Sequence, residues 1–272
     1  MSPIHRIDKD VNLHVKKTRK KFVQIQKIIY RTGLDSVKER GLCNPAILSI
    51  EIAEGFAMTE RKKTIPGGLL IAIEGIDGSG KSTQAALLCK ALSQKGYDAI
   101  YLKEPTDGPY GRKIRALAIE GRHEITPLEE FELFRKDRIQ DVEENIKPAL
   151  QSGKIVVIDR YFYSSIAYQG ALGLDPEFIN RENRKIAICP DLLIYLSIPA
   201  SLSTDRIEQN RGDSVNLFEK MEYLENVKAI FDAMNYPEKW TVDGTVPIDE
   251  IHRTILFHVS LLINKRLQKY SI

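Results

Sequence analysis

Gly75-Ile76-Asp77-Gly78-Ser79-Gly80-Lys81-Ser82 fits the spacing G-x-x-x-x-G-K-[ST], in which a glycine-rich turn wraps backbone N–H groups around a phosphate. The neighbouring residues decide the reading. Leu69-Leu70-Ile71-Ala72-Ile73, just before it, is an apolar run of buried-strand length. Just after it, Leu87, Leu88, Ala91 and Leu92 recur at helical spacing. A loop between a strand and a helix puts the bound anion at the helix N-terminus, where the helix dipole adds to the backbone donors. Gly75, Ile76, Asp77, Gly78, Ser79, Gly80, Lys81, Ser82 and Thr83 are therefore the expected ATP-binding residues. Lys81 is expected to reach the β- and γ-phosphates, and the Ser82 hydroxyl to take a position on Mg²⁺.

Downstream of this loop, strand-like and helix-like stretches alternate, the pattern of a parallel sheet with helices on both faces. Residues 97–102, 155–158, 192–196 and 240–242 read as the second to fifth strands. Thr126-Pro127-Leu128-Glu129 reads as a capping box with proline at the first helical position, opening a helix that runs to about residue 151, before Gly153. A last helix from about Asp249 carries Ile251, Ile255, Val259 and Leu262 on one stripe.

The 272 residues suit one domain of about 200 residues plus an appendage. The charge divides them. Residues 1–66 carry 14 Lys+Arg against 7 Asp+Glu; the remainder carries 26 against 30. Residues 1–66 read as a basic extension of unknown role and 67–272 as the P-loop nucleotide-binding domain. Lys16-Lys17-Thr18-Arg19-Lys20-Lys21 lies in a candidate helix with Phe22, Ile25 and Ile29 on one face. That segment reads as a nucleic-acid or anionic-surface contact, a transit segment, or a solvated extension. Asp8, Asp10 and few serines weigh against transit. Met58 is a second candidate start.

No apolar run approaches the roughly 20 residues of a membrane span, so no membrane partner is expected, and no nucleic acid for the P-loop domain. Cys43, Cys89 and Cys189 are scattered and odd in number. They argue for a reducing compartment and against a disulfide framework or a zinc site, and the expected location is the cytoplasm. The five histidines form no ligand-like cluster, leaving Mg²⁺ as the expected metal.

A second constellation follows the third strand. Asp159-Arg160 places a carboxylate and a guanidinium at a strand's carboxyl end, where open α/β sheets bind ligands. Asp159 is placed to bind Mg²⁺ directly or through water, and Arg160 to grip a phosphate oxygen. Continuing outward, Asp159-Arg160-Tyr161-Phe162-Tyr163-Ser164-Ser165-Ile166-Ala167-Tyr168-Gln169-Gly170 resembles the D-R-Y-x-x-S-x-x-A-Y-Q-G signature of the thymidylate kinase family. Lys103-Glu104-Pro105-Thr106 resembles that family's R-E-P loop, and Phe134-Arg135-Lys136-Asp137-Arg138 its F-x-x-D-R segment. The resemblance spans about residues 69–265 and leaves out 1–66.

What the resemblance implies is an α/β P-loop kinase fold: a five-stranded parallel sheet, helices on both faces and a helical lid. The implied reaction is ATP-Mg-dependent phosphorylation of dTMP to dTDP by a homodimer. Phe134 would stack on the thymine and Arg138 hydrogen-bond its edge. Arg160 would hold the dTMP phosphate, with Glu104, Ser164, Ser165 and Gln169 also on the substrate side. Tyr168 would pack near the ribose 2′ position, and Asp77 would stand near the transferred phosphoryl group. Gly78 leaves the loop without the arginine that some members carry there, so a lid at 206–213 would supply Arg206 and Arg211, followed by a helix near Ser214. Lys103 stands where the family more often has arginine, and Thr106 where it has glycine. Two other readings remain: another deoxynucleotide or deoxynucleoside kinase, and a non-catalytic nucleotide-binding module.

Overall fold

A computed structural model describes residues 62–120, 125–211 and 217–270; the side chains of 120, 207–211 and 217–220 are outside the description. The basic run, the Phe22/Ile25/Ile29 face and Met58 lie outside the described residues.

Five strands form one parallel sheet: β1 (Leu69–Glu74), β2 (Ala99–Lys103), β3 (Ile155–Asp159), β4 (Leu192–Ser197) and β5 (Lys239–Asp243). Their order is β2-β3-β1-β4-β5. The helices are α1 (Lys81–Gln94), α2 (Pro109–Glu120), α3 (Pro127–Asp141), α4 (Lys147–Gln151), α5 (Phe162–Ala171), α6 (Pro176–Arg184), α7 (Ala200–Arg211), α8 (Leu217–Ala233) and α9 (Ile248–Lys269). β1 and β3 are buried throughout and β4 nearly so, as strands covered on both faces must be. The edge strands β2 and β5 are only partly buried.

Side chains alternate across the pleat, so one strand feeds two cores. Leu70, Ala72, Val156, Ile158 and Leu193 pack with Phe131, Phe162, Val227 and Phe231 from α3, α5 and α8. Leu69, Ile71, Ile73, Ile155 and Val157 pack with Leu88 and Leu92 of α1 and with α9. The buried stripe of α9 is Ile251, Ile255, Val259 and Ile263. Ile263, four residues beyond Val259, replaces the expected Leu262, which is only partly buried.

The capping box forms as expected. Glu129 N donates to Thr126 Oγ1 (3.2 Å), and Thr126 N donates to Glu129 Oε2 (2.9 Å). The helical run does reach Gln151, but it opens into a π turn over Val142–Ile146. Pro148 is the physical reason: it has no N–H to donate, and its ring crowds the carbonyl of Glu144.

Residues 62–66, grouped with the leader on charge, belong to the compact unit Lys62–Ile272. Lys63 N donates to Gly96 O (2.7 Å), Ile65 N donates to Gly153 O (2.7 Å), and Ile65 is fully buried. In the segment expected to form the lid, Arg206 to Arg211 are the end of α7, and the following helix is described from Leu217.

Candidate active site

β1 and β3 are neighbours in register, with Ile73 opposite Asp159. The loop after β1 and the Asp159-Arg160 turn after β3 therefore emerge side by side at the sheet's carboxyl edge. Glycine is required in this loop on two different grounds. A Cβ on Gly75 would stand 2.6 Å from Leu196 O and 2.6 Å from Ser79 Oγ. Gly80, the N-cap of α1, has open space around it but φ 96°, a conformation that L side chains resist.

The resulting cleft, about 560 Å³, is lined by residues 77–84 together with Lys103, Arg160 and Arg206. Lys81 is 5% exposed and donates to Ile76 O (2.7 Å). Burial pushes its ammonium down to about 7, and Arg160 adds to the fall; Asp77, Asp159 and Glu74 pull the other way. Arg206 donates to Gly78 O (3.2 Å) and Gly244 O (3.3 Å). It thus reaches the phosphate loop from α7, whereas the side chain of Arg211 lies outside the description.

Ser82 Oγ donates to Asp159 Oδ2 (2.5 Å). Asp159 Oδ1 is buried and has no hydrogen-bond partner. A hydroxyl and a carboxylate with one free oxygen, next to a phosphate loop, fit Mg²⁺, which is held through one or two protein ligands plus substrate phosphates.

Arg160 adopts φ 67°, the one non-glycine residue at positive φ among those described. Its backbone N donates to Ile73 O (3.1 Å), tying the turn to β1. Its guanidinium donates to Asp77 Oδ1 and to Ser164 Oγ (3.3 Å), and sits 5.1 Å from the Tyr168 ring centre. The turn is braced from below by Glu74, a residue that sequence reading passed over. Its carboxylate, fully buried, accepts from Tyr161 N (2.7 Å), Ser164 N (3.0 Å) and Ser164 Oγ (2.6 Å). It thereby caps α5, whose own N-cap residue Tyr161 makes no side-chain cap bond. Burial raises the Glu74 pKa; the Ser164 bond, Arg160, the Tyr161 N–H and Lys81 oppose the rise.

The substrate side is held by a buried network. Arg138, 1% exposed, gives Nε (2.9 Å) and Nη2 (2.6 Å) to Glu104 Oε2, Nη1 to Asn183 Oδ1 (2.5 Å) and Nη2 to Ser165 Oγ (3.3 Å). Arg138 is therefore anchored by protein groups, a role its sequence motif did not disclose. Asn183, fully buried on α6, is a further member missed from the sequence. Burial pushes the Glu104 carboxyl up to about 8 while Arg138 pulls it down, and Asp141 and Asp137 add to the rise. Glu104 Oε1 is buried with no partner. Gln169 is buried with Oε1 unpartnered, and Phe134 is half-buried on α3. Thr106 answers the question raised by its replacement of glycine. Its N (2.8 Å) and Oγ1 (2.7 Å) both donate to Asp137, which clamps the loop after β2 onto α3.

A parallel sheet in this order, with a phosphate loop and a facing Asp-Arg turn converging on one cleft, defines the class: a P-loop nucleotide kinase. Residues 73–255 match the family model described as thymidylate kinase. The chain is 45% identical over 196 residues to a thymidylate kinase of Desulfotalea psychrophila, covering 72% of this chain and 96% of that protein. It is 42% identical over 196 residues to a probable thymidylate kinase of Archaeoglobus fulgidus, covering 72% and 97%. A thymidylate kinase of Xanthomonas campestris is 45% identical over 188 residues, covering 69% and 81%. The chain belongs to the thymidylate kinase family, ATP-dependent nucleoside monophosphate kinases that phosphorylate dTMP to dTDP.

Proposed function

We propose that this chain transfers the γ-phosphoryl group of ATP to the phosphate of dTMP, releasing ADP and dTDP, with Mg²⁺ as cofactor and the cytoplasm as its location. The observation that carries the reading is the convergence of Lys81, Ser82 and Arg160 on one cleft, with buried Asp159 bonded to Ser82, in a fold that also holds the Glu104–Arg138 network. Backbone donors of residues 75–83 and Lys81 hold the ATP phosphates. Arg160 holds the dTMP phosphate against the donor, and Asp77, paired with Arg160, keeps that guanidinium aimed. Ser82 and Asp159 would hold Mg²⁺, which would supply positive charge to the transferring phosphoryl group. Arg206, aimed at Gly78 O, adds charge on the opposite side, and Arg211 on the same helix is the second candidate. In-line transfer needs no covalent intermediate on the protein: positioning and charge stabilisation suffice.

On the acceptor side, Phe134 stacks on the base and Arg138 serves its edge, with Ser164, Ser165 and Gln169 around base and sugar. Tyr168 crowds the 2′ position. A homodimer is part of this reading: Ile119 (86% exposed) and Leu128 (47%) leave apolar surface on α2 and α3 for a second copy. Sedimentation checks that state. Residues 67–272, with 62–66 packed on them, act as the kinase domain and 1–61 as an appendage.

A coupled ADP-release assay across nucleosides and nucleoside monophosphates tests the assignment. dTMP is expected to be the best acceptor, dUMP weaker and UMP weakest. Purine monophosphates outrunning dTMP, or thymidine replacing it, would overturn the reading.

A further inference from the structure

Asp159 is fully buried, yet its two oxygens are treated unequally. Oδ2 accepts from Ser82 Oγ at 2.5 Å and from the Tyr101 hydroxyl at 3.1 Å, and it lies 3.7 Å from Lys103 Nζ. Oδ1 is buried with no partner. A buried carboxylate oxygen without a donor is costly, and sharing the three groups between the two oxygens would remove that cost. We propose that Tyr101 is a positioning residue: its hydroxyl holds Oδ2 and so keeps Oδ1 turned toward the Mg²⁺ that accompanies the nucleotide. This rests on the reading of Asp159 as the metal-binding carboxylate.

The sheet explains how Tyr101 reaches it. In the β2–β3 register Lys103 faces Asp159, and Tyr101 faces Val157. Tyr101 and Lys103 are two residues apart and share a face. A tyrosine ring spans the diagonal to the next same-face residue of the neighbouring strand, and that residue is Asp159. The ring is not there to fill a core: Tyr101 is 39% exposed on the edge strand. Of the three groups on Oδ2, Ser82 belongs to the phosphate loop itself, and Lys103 stands beyond hydrogen-bond distance on a flexible stem. Tyr101 alone offers a rigid donor from outside the loop.

The test uses the full chain with Tyr101→Phe, which removes one oxygen from a half-exposed ring. Mn²⁺ is titrated into the ADP complex and the free ion followed by its paramagnetic resonance signal. ADP affinity in EDTA is measured alongside by calorimetry. Groups that orient metal ligands typically contribute 10–100-fold to metal affinity, so Tyr101→Phe is expected to weaken Mn²⁺ binding about 10-fold. ADP affinity in EDTA is expected to be unchanged. Asp159→Asn is expected to weaken Mn²⁺ binding at least as much, and adding Tyr101→Phe to it should change nothing further. Unaltered Mn²⁺ affinity in Tyr101→Phe, with Asp159→Asn impaired, refutes the role of Tyr101 alone. Unaltered affinity in Asp159→Asn refutes the metal reading, and the proposal with it. An equal loss of ADP affinity in EDTA would show that the ring merely shapes the nucleotide cleft.

Discussion

Replacing Lys81 by methionine should destroy catalysis and stabilise the unliganded protein. Lys81 is 5% exposed, and burial brings its pKa from 10.5 to about 7. One pKa unit is about 1.4 kcal/mol, so the charged form strains the fold by on the order of 5 kcal/mol. Methionine keeps the apolar stem but forfeits the charged bond to Ile76 O, which keeps its bond from Ser79 N, a loss of roughly 1.5–3 kcal/mol. The balance favours the variant by roughly 2–4 kcal/mol at low pH, several degrees of melting temperature in a domain this size. The sign of the pH dependence follows from linkage. Between about 7 and 10.5 the unfolded lysine holds a proton that the folded one has lost, so wild-type stability rises across that window. The variant's advantage should be largest below pH 7 and shrink toward pH 10. Adding ADP with Mg²⁺ should reverse the order, since only the wild type gains an ammonium–phosphate contact. Differential scanning fluorimetry from pH 6 to 9.5, with and without ADP-Mg, reads all three effects. A variant less stable than wild type at pH 6, with a gap independent of pH, would refute the idea that Lys81 is held under strain for its ligand.

Three further outcomes are expected. Arg206→Ala should lower kcat more than it raises KM for dTMP, because a charge contact completed in the transition state appears chiefly in kcat; a normal kcat would remove Arg206 from catalysis. Glu74→Ala should cost on the order of 3 kcal/mol in denaturant unfolding, since three donors around the α5 N-terminus lose their acceptor; Glu74→Gln should cost less, and an alanine variant as stable as wild type would contradict the bracing role. A chain beginning at Met58 should keep full kcat/KM, whereas one beginning at Gly67 loses buried Ile65 and should be less stable by roughly 2–5 kcal/mol; equal melting temperatures for the two would count against Ile65 as part of the core.

The strands were legible because a parallel strand covered on both faces must be apolar throughout, and Leu69–Ile73, Ile155–Ile158 and Leu192–Leu196 are. In each case the strand runs one residue further than the apolar run, to Glu74, Asp159 and Ser197. Those terminal residues stand at the sheet's carboxyl edge, where Glu74 and Asp159 make polar contacts with the segments around the phosphate loop. Hydrophobic patterning thus stops short of the part of the strand that matters most. Asp159 is legible as a candidate because arginine follows it in a recognisable stretch. Glu74 is not, although it immediately precedes the phosphate loop, because its partners Tyr161 and Ser164 lie 87 and 90 residues away. Separations of 45 and 58 residues likewise hide Asn183 from Arg138 and Tyr101 from Asp159. What local sequence specifies is the geometry that one segment imposes on itself: the glycine turn, the capping box, the buried run. The groups that aim Asp159, Arg160 and Arg138 are supplied by other strands and helices: the register of β1, β2 and β3 sets Tyr101 by Asp159 and Asp77 by Arg160, and α6 carries Asn183 to Arg138.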